Sequence, residues 1–113
     1  MNEQCLFCRI VRREIPAGIV HDSDDVIGFR DINPQAHVHV LIIPKVHVES
    51  LDRATDATML GKLMLAAADI ARAKGIAEDG YRIVMNTNAA AGQTVGHVHL
   101  HLLGGRKLTW PPG

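Results

Sequence analysis

Three histidines alternate with apolar residues in His97-Val98-His99-Leu100-His101. In an extended segment side chains alternate between faces, and residues two apart lie about 6.6 Å from each other. The three imidazoles therefore share one face, with Val98, Leu100 and Leu102 on the other. A strand with an incidentally polar face more often carries serine, threonine or lysine, and imidazoles in register repel one another when protonated. Two chemistries suit such a row. It can bind a metal ion, or it can hold one neutral imidazole as a nucleophile among hydrogen-bonding neighbours. The second needs an anion site close by. Ala91-Gly92-Gln93-Thr94, just before the histidines, supplies flexible backbone amides and a hydroxyl, the makings of a concave anion nest. Together they point to phosphoryl chemistry. His39 opens another β-rich run, and antiparallel pairing would bring it beside the triplet. Cys5-x-x-Cys8 has the spacing of a metal or redox pair.

These groups need elements to position them. Residues 6–13 read as a short helix with Phe7, Ile10 and Val11 on one face. Residues 19–21 and 26–30 read as two short strands around a polar tip, and Asp31-Ile32-Asn33-Pro34-Gln35 is turn chemistry. Residues 39–43 form a buried strand closed by Pro44. The principal helix spans residues 55–74: Leu60, Leu63, Met64, Ala67, Ile70 and Ala71 recur at helical spacing, and Gly75 suits a left-handed C-cap. Residues 81–86 and 95–103 complete about five strands. The pattern predicts a single antiparallel α+β domain over residues 1–113, with an extended, proline-bearing tail from about residue 105. Trp110 in that tail needs something to pack against, such as a partner chain.

Composition narrows the function classes. A chain of 113 residues, 47% hydrophobic and 21% charged, is an ordinary globular domain. Formal net charge is zero, so a broad attraction to nucleic acid or anionic membrane is not expected. Two cysteines make no disulfide framework, and the N-terminus reads as no signal peptide, so the expected location is cytoplasmic.

Several segments resemble the Hint branch of the histidine triad (HIT) family. Besides residues 97–103 these are Phe7-Cys8-Arg9-Ile10-Val11-Arg12-Arg13-Glu14-Ile15-Pro16, Phe29-Arg30-Asp31-Ile32-Asn33-Pro34-Gln35-Ala36, Ile42-Ile43-Pro44-Lys45, Asp79-Gly80-Tyr81-Arg82 and Trp110-Pro111-Pro112-Gly113. The resemblance covers nearly the whole chain. It implies a five-stranded antiparallel sheet with one long and one short helix, and a homodimer joining two sheets into ten strands, with Trp110 near the partner. It implies hydrolysis of purine nucleoside 5'-phosphoramidates at the P–N bond, with no organic cofactor. By position, His99 would be the nucleophile that forms a nucleotidyl-histidine, with His101 and His39 in support. Thr94 stands where the family commonly has serine, near the leaving atom. Gly92, Gln93 and Asn86 would flank the phosphate, Asp31 would hold the ribose hydroxyls, and Phe7, Phe29 and Ile32 would wall the base. Apart from the resemblance, those apolar residues read equally as core and Asp31 as a turn residue. Other branches of the family use a cysteine pair and two histidines for structural zinc. Cys5, Cys8, His47 and His97 offer that set, which would move His97 from the reaction to a metal site. His37 and Gly96 depart from the family's usual proline and aromatic residue.

Three other readings compete. They are a dinucleoside polyphosphate hydrolase of the same family, a nucleotide- or zinc-binding regulatory module with weak catalysis, and a cupin-like enzyme binding metal through all three histidines. The long helix and the lack of a glutamate ligand near the triplet weigh against the last.

Overall fold

The computed structural model describes residues 3–113, and its elements follow the periodicities of the sequence. Helix α1 (Leu6–Val11) starts at Cys5, whose side chain accepts the Cys8 N–H, and buries Phe7, Cys8 and Ile10. It ends two residues earlier than expected. Arg13 takes a left-handed φ of 63°, and Glu14 N–H returns to Arg9 O at 2.9 Å, a closing pattern normally left to glycine.

Five strands follow: β1 (Ile19–Asp22), β2 (Val26–Arg30), β3 (Val38–Pro44), β4 (Tyr81–Val84) and β5 (Leu100–Gly104). They form one antiparallel sheet in the order β1-β2-β3-β5-β4. Helix α2 (Ala57–Ala73) lies between β3 and β4 in sequence. Asp56 caps it by accepting Met59 N–H at 3.1 Å. At its other end Gly75 is left-handed (φ 73°), while Ile76 N–H bonds Ala71 O and Gly75 N–H bonds Arg72 O. That is the predicted cap.

The sheet is covered on both faces. Leu63, Ala67 and Ile70 of α2 pack with Val40, Ile42, Val98, Leu100 and Leu102 in one core. Phe7, Cys8 and Ile10 of α1 pack with Ile27, Phe29, Leu41 and Ile43 in the other. Alternation along β2 and β3 thus feeds two apolar layers, which is why these strands read as continuous hydrophobic runs. The α+β class with one long and one short helix is as expected.

One boundary is corrected. The expected strand over residues 95–103 joins the ladder only at Leu100, which pairs with Ile42. Upstream, His97 N–H turns back to Val95 O at 2.9 Å, and Val98 N–H bonds Val48 O at 2.7 Å. β3 ends at Pro44, which has no N–H to continue pairing. The alternation of faces nevertheless persists through residues 97–102. The strand at residues 81–86 likewise stops at Val84, leaving Asn86 half-buried beyond it. Among the described residues no helix is long and apolar enough to cross a membrane.

Candidate active site and metal centre

The His97 and His99 part of the histidine face lies under α1, while His101 is half-buried. His97 is fully buried and His99 is 5% exposed. The Phe7 ring meets both edge-to-face, with centroids 5.9 Å from His97 and 5.1 Å from His99. Two clusters of ionisable side chains result, one at each end of the triplet.

In the first, Cys5, Cys8, His47 and His97 bring their ligand atoms within 4.8 Å of one another. His97 Nδ1 lies 3.4 Å from Cys5 Sγ and 3.6 Å from Cys8 Sγ, and His47 Nδ1 lies 3.3 Å from Cys8 Sγ. Zinc bonds of about 2.3 Å to sulfur and about 2.0 Å to nitrogen, set tetrahedrally, separate such atoms by about 3.5 Å. The donor set fits a zinc ion. The ring orientation fits as well, because His97 Nε2–H donates to the Pro44 carbonyl at 2.9 Å. That bond leaves the Nδ1 lone pair directed at the thiols, as metal-ligating histidines require. His47 Nε2 is buried without a hydrogen-bond partner. Such an atom costs about 1–3 kcal/mol, and ligation through the Nδ1 that faces Cys8 would not satisfy it. Burial pushes the His97 imidazole down to about 4, against the raising effect of the Pro44 bond and helped by His47 and His99. The ring is therefore neutral and able to ligate.

In the second cluster, His39 Nε2 lies 2.9 Å from His101 Nδ1 and 3.4 Å from Asp31 Oδ2. The main chain sets the tautomers. Gln35 N–H donates to His39 Nδ1 at 3.0 Å, so neutral His39 carries its proton on Nε2 and donates toward His101. His101 then accepts on Nδ1 and carries its own proton on Nε2. Burial pushes His101 down to about 4, with His99 and His39 adding to the shift and Asp31 opposing it. Burial also lowers His39, against Asp31. Asp31 Oδ1 accepts Asn33 N–H at 2.8 Å, which folds the turn and leaves Oδ2 facing His39.

His99 sits between the clusters. Its Nδ1–H donates to the His97 carbonyl at 2.7 Å, leaving the Nε2 lone pair available. Burial lowers its pKa, against the His97 bond and Asp31, so the ring is neutral near pH 7. Its centroid lies 5.1 Å from that of His101. The preceding loop is held by Gln93, whose side-chain oxygen accepts Asn88 N–H (2.8 Å) and whose NH2 donates to Glu49 O (2.7 Å) and Val95 O (3.0 Å). The Gln93 side chain thus organises the loop, and its main-chain N–H is engaged there too, donating to Asn88 O at 3.2 Å as Gly92 N–H donates to Ala89 O at 3.0 Å. Gly92 is left-handed at φ 88°, and both it and Thr94 beyond it are exposed. Thr94 and Cys5 line a cavity of about 800 Å³ with Glu49, Arg53 and Asn88.

The apolar residues divide. Phe7 and Phe29 are each 4% exposed and stack edge-to-face at 5.4 Å within the core, whereas Ile32 is wholly exposed beside Asp31. Sequence reasoning missed the Pro44 carbonyl and the Gln35 amide. Main-chain groups leave no residue-type signal.

Comparisons with known proteins cover most of the chain. The HIT domain family matches residues 12–108. A purine nucleoside phosphoramidase of Escherichia coli is 51% identical over 110 residues, covering 96% of this chain and 92% of that protein. A 14 kDa zinc-binding protein of Zea mays is 46% identical, covering 96% and 87%. The crystal structure of a HIT family hydrolase from Legionella pneumophila superposes with a TM-score of 0.94 at 49% identity, over 96% of this chain and 99% of that one. By sequence over nearly its full length, and by a fold shared with a HIT family hydrolase, this chain belongs to the HIT domain family.

Proposed function

We propose that this chain hydrolyses purine nucleoside 5'-phosphoramidates through a nucleotidyl group carried on His99. The observation that carries the reading is the His99 Nδ1–H bond to the His97 carbonyl, which leaves a neutral imidazole with a free Nε2 lone pair. The named activity of the E. coli relative supports the substrate class. His99 Nε2 attacks the α-phosphorus, the P–N bond breaks, and the leaving nitrogen takes a proton from His101 Nε2–H. His39 Nε2–H supports His101 through its Nδ1. Water then cleaves the nucleotidyl-histidine: its oxygen bonds phosphorus as the bond to His99 breaks, and its proton replaces the one His101 gave up, releasing nucleoside monophosphate and restoring both imidazoles. Splitting the displacement avoids direct attack by unactivated water.

The loop of Gly92 and Gln93, the Thr94 hydroxyl and Asn86 would surround the phosphate. Asp31 would accept ribose hydroxyls, with exposed Ile32 over the base and buried Phe7 and Phe29 as the floor. Cys5, Cys8, His47 and His97 would hold a structural zinc, consistent with the zinc-binding Zea mays relative. A homodimer joined through β4 accords with its place at the sheet edge. Arg82 on that strand donates to Thr109 O at 3.0 Å, which draws the exposed Trp110 toward the same edge. A cytoplasmic location accords with two cysteines outside any disulfide.

Rates on adenosine 5'-phosphoramidate and on diadenosine polyphosphates, measured side by side with His99→Ala, test the proposal. The phosphoramidate should be the better substrate, and the variant should lose turnover. Equal turnover in the variant would end the reading, and preference for the dinucleotides would move the chain to the polyphosphate hydrolases.

A further inference from the structure

We infer that metal occupancy of the Cys5–Cys8–His47–His97 cluster and the orientation of the His99 imidazole are thermodynamically linked through residue 97. The inference rests on the proposed readings of His99 as nucleophile and of that cluster as a zinc centre. His97 belongs to both sites at once. Its imidazole points Nδ1 at Cys5 and Cys8 (3.4 and 3.6 Å), and its main-chain carbonyl holds His99 Nδ1–H at 2.7 Å.

Among the described residues no strand ladder holds this stretch, although His97 Nε2–H reaches the Pro44 carbonyl of β3 and Val98 packs in the α2 core. The β5 ladder begins at Leu100, so residues 97–99 sit outside it, tied by His97 N–H to Val95 O and Val98 N–H to Val48 O. The four candidate ligands lie on three separate segments, and each segment also supplies a contact to residues 97–99. The segment of Cys5 and Cys8 supplies Phe7, whose ring meets both His97 and His99. The segment of His47 supplies the Val48 carbonyl, which holds Val98. The third segment supplies the His97 carbonyl itself. A metal ion joining these segments holds all three contacts together, and with them the Nδ1–H tautomer of His99. His97 is on this account a positioning residue for the nucleophile.

Linkage is reciprocal: if metal favours the reactive arrangement of His99, a ligand engaging His99 must strengthen the hold on metal by the same factor. Couplings of this kind are typically about 5- to 150-fold. The test uses the full-length, zinc-loaded chain. The zinc dissociation constant is measured by equilibrium competition with a chromogenic chelator, with and without saturating AMP, whose occupancy is set by calorimetry. AMP should lower that constant by about fivefold or more, and in His99→Ala the same occupancy should leave it within about twofold. As a second readout, the ¹⁵N shifts of the His99 imidazole should report a single Nδ1–H tautomer in the loaded chain and a mixture after chelation.

An unchanged zinc dissociation constant with AMP bound overturns the linkage, while phosphoramidate turnover by the same preparation without AMP keeps the functional reading. Equal tightening in His99→Ala also overturns it, because the gain would then not pass through the His99 imidazole. A chain that retains no zinc after purification with zinc overturns the inference together with the metal reading. One that binds no AMP overturns it together with the nucleotide reading.

Discussion

The two histidine clusters use similar side chains but differ in what the main chain offers the second nitrogen of the ring. At His97 the outer nitrogen meets the Pro44 carbonyl, an acceptor, so the ring keeps its proton there and turns a lone pair inward. At His39 the outer nitrogen meets the Gln35 amide, a donor, so the ring turns its proton inward. The first arrangement suits a metal ion and the second suits proton transfer. Spacing agrees. The nitrogen–sulfur separations in the first cluster are 3.3–3.6 Å, those of ligands around zinc. The two nitrogens of the second stand 2.9 Å apart, a hydrogen bond and shorter than the roughly 3.3 Å between ligands on one tetrahedral zinc. One backbone group per ring therefore decides which chemistry an imidazole cluster can perform.

The comparison breaks most sharply at the nucleophile. His99→Ala should lower phosphoramidate kcat by more than about 10³-fold while leaving zinc content at the wild-type value. Next comes the metal. A native-only ion at about 1,000 times its dissociation constant adds about 4 kcal/mol, worth about 15 °C in melting midpoint for a chain of this size. Cys8→Ser should lose the zinc and a midpoint shift of that order, read by calorimetry. In the proton-transfer cluster, His101→Asn should cost about 10²-fold in kcat and leave zinc content unchanged. Zinc titration of the metal-depleted chain should saturate at one equivalent. A second tight equivalent, abolished by His39→Ala, would erase the distinction between the clusters.

The smallest effect is on stability in acid. The folded His101 ring titrates at about 4, whereas the unfolded ring titrates near about 6.5. Below about pH 6.5 the unfolded chain takes up a proton that the fold refuses, so stability is full above that value and falls progressively toward about pH 4. The fall should be shallower in His101→Asn, measured by denaturant midpoints across that window. The same lowering of the buried histidines moves the expected acid limb of activity below the ordinary histidine value of about 6.5.

Much of this was legible because periodicity and residue type carry it. The α2 stripe, its Gly75 cap and the runs at β2 and β3 are local patterns and appear where the spacing puts them, except that Met64 of the expected stripe is exposed while Met59 and Ala66 are buried. The Cys5, Cys8, His47 and His97 set was legible from residue type and family resemblance, and those side chains do converge. Tertiary facts were less accessible. Residues 95–99 leave the ladder because β3 stops at Pro44, a register set by two other strands. The burial of His97 and His99 depends on where α1 docks, and the deep placement of Phe7 and Phe29 depends on the same docking. The carbonyl of Pro44 and the amide of Gln35, which assign the tautomers, are groups that almost every residue possesses.

Native mass spectrometry during turnover of adenosine 5'-phosphoramidate tests the division of labour most directly, because it reads metal and adduct on one chain. The account predicts one zinc and a transient nucleotidyl group on the wild-type chain, and one zinc with no nucleotidyl group on His99→Ala. A nucleotidyl group that persists in His99→Ala, or a zinc that departs with the His99 imidazole, would contradict it.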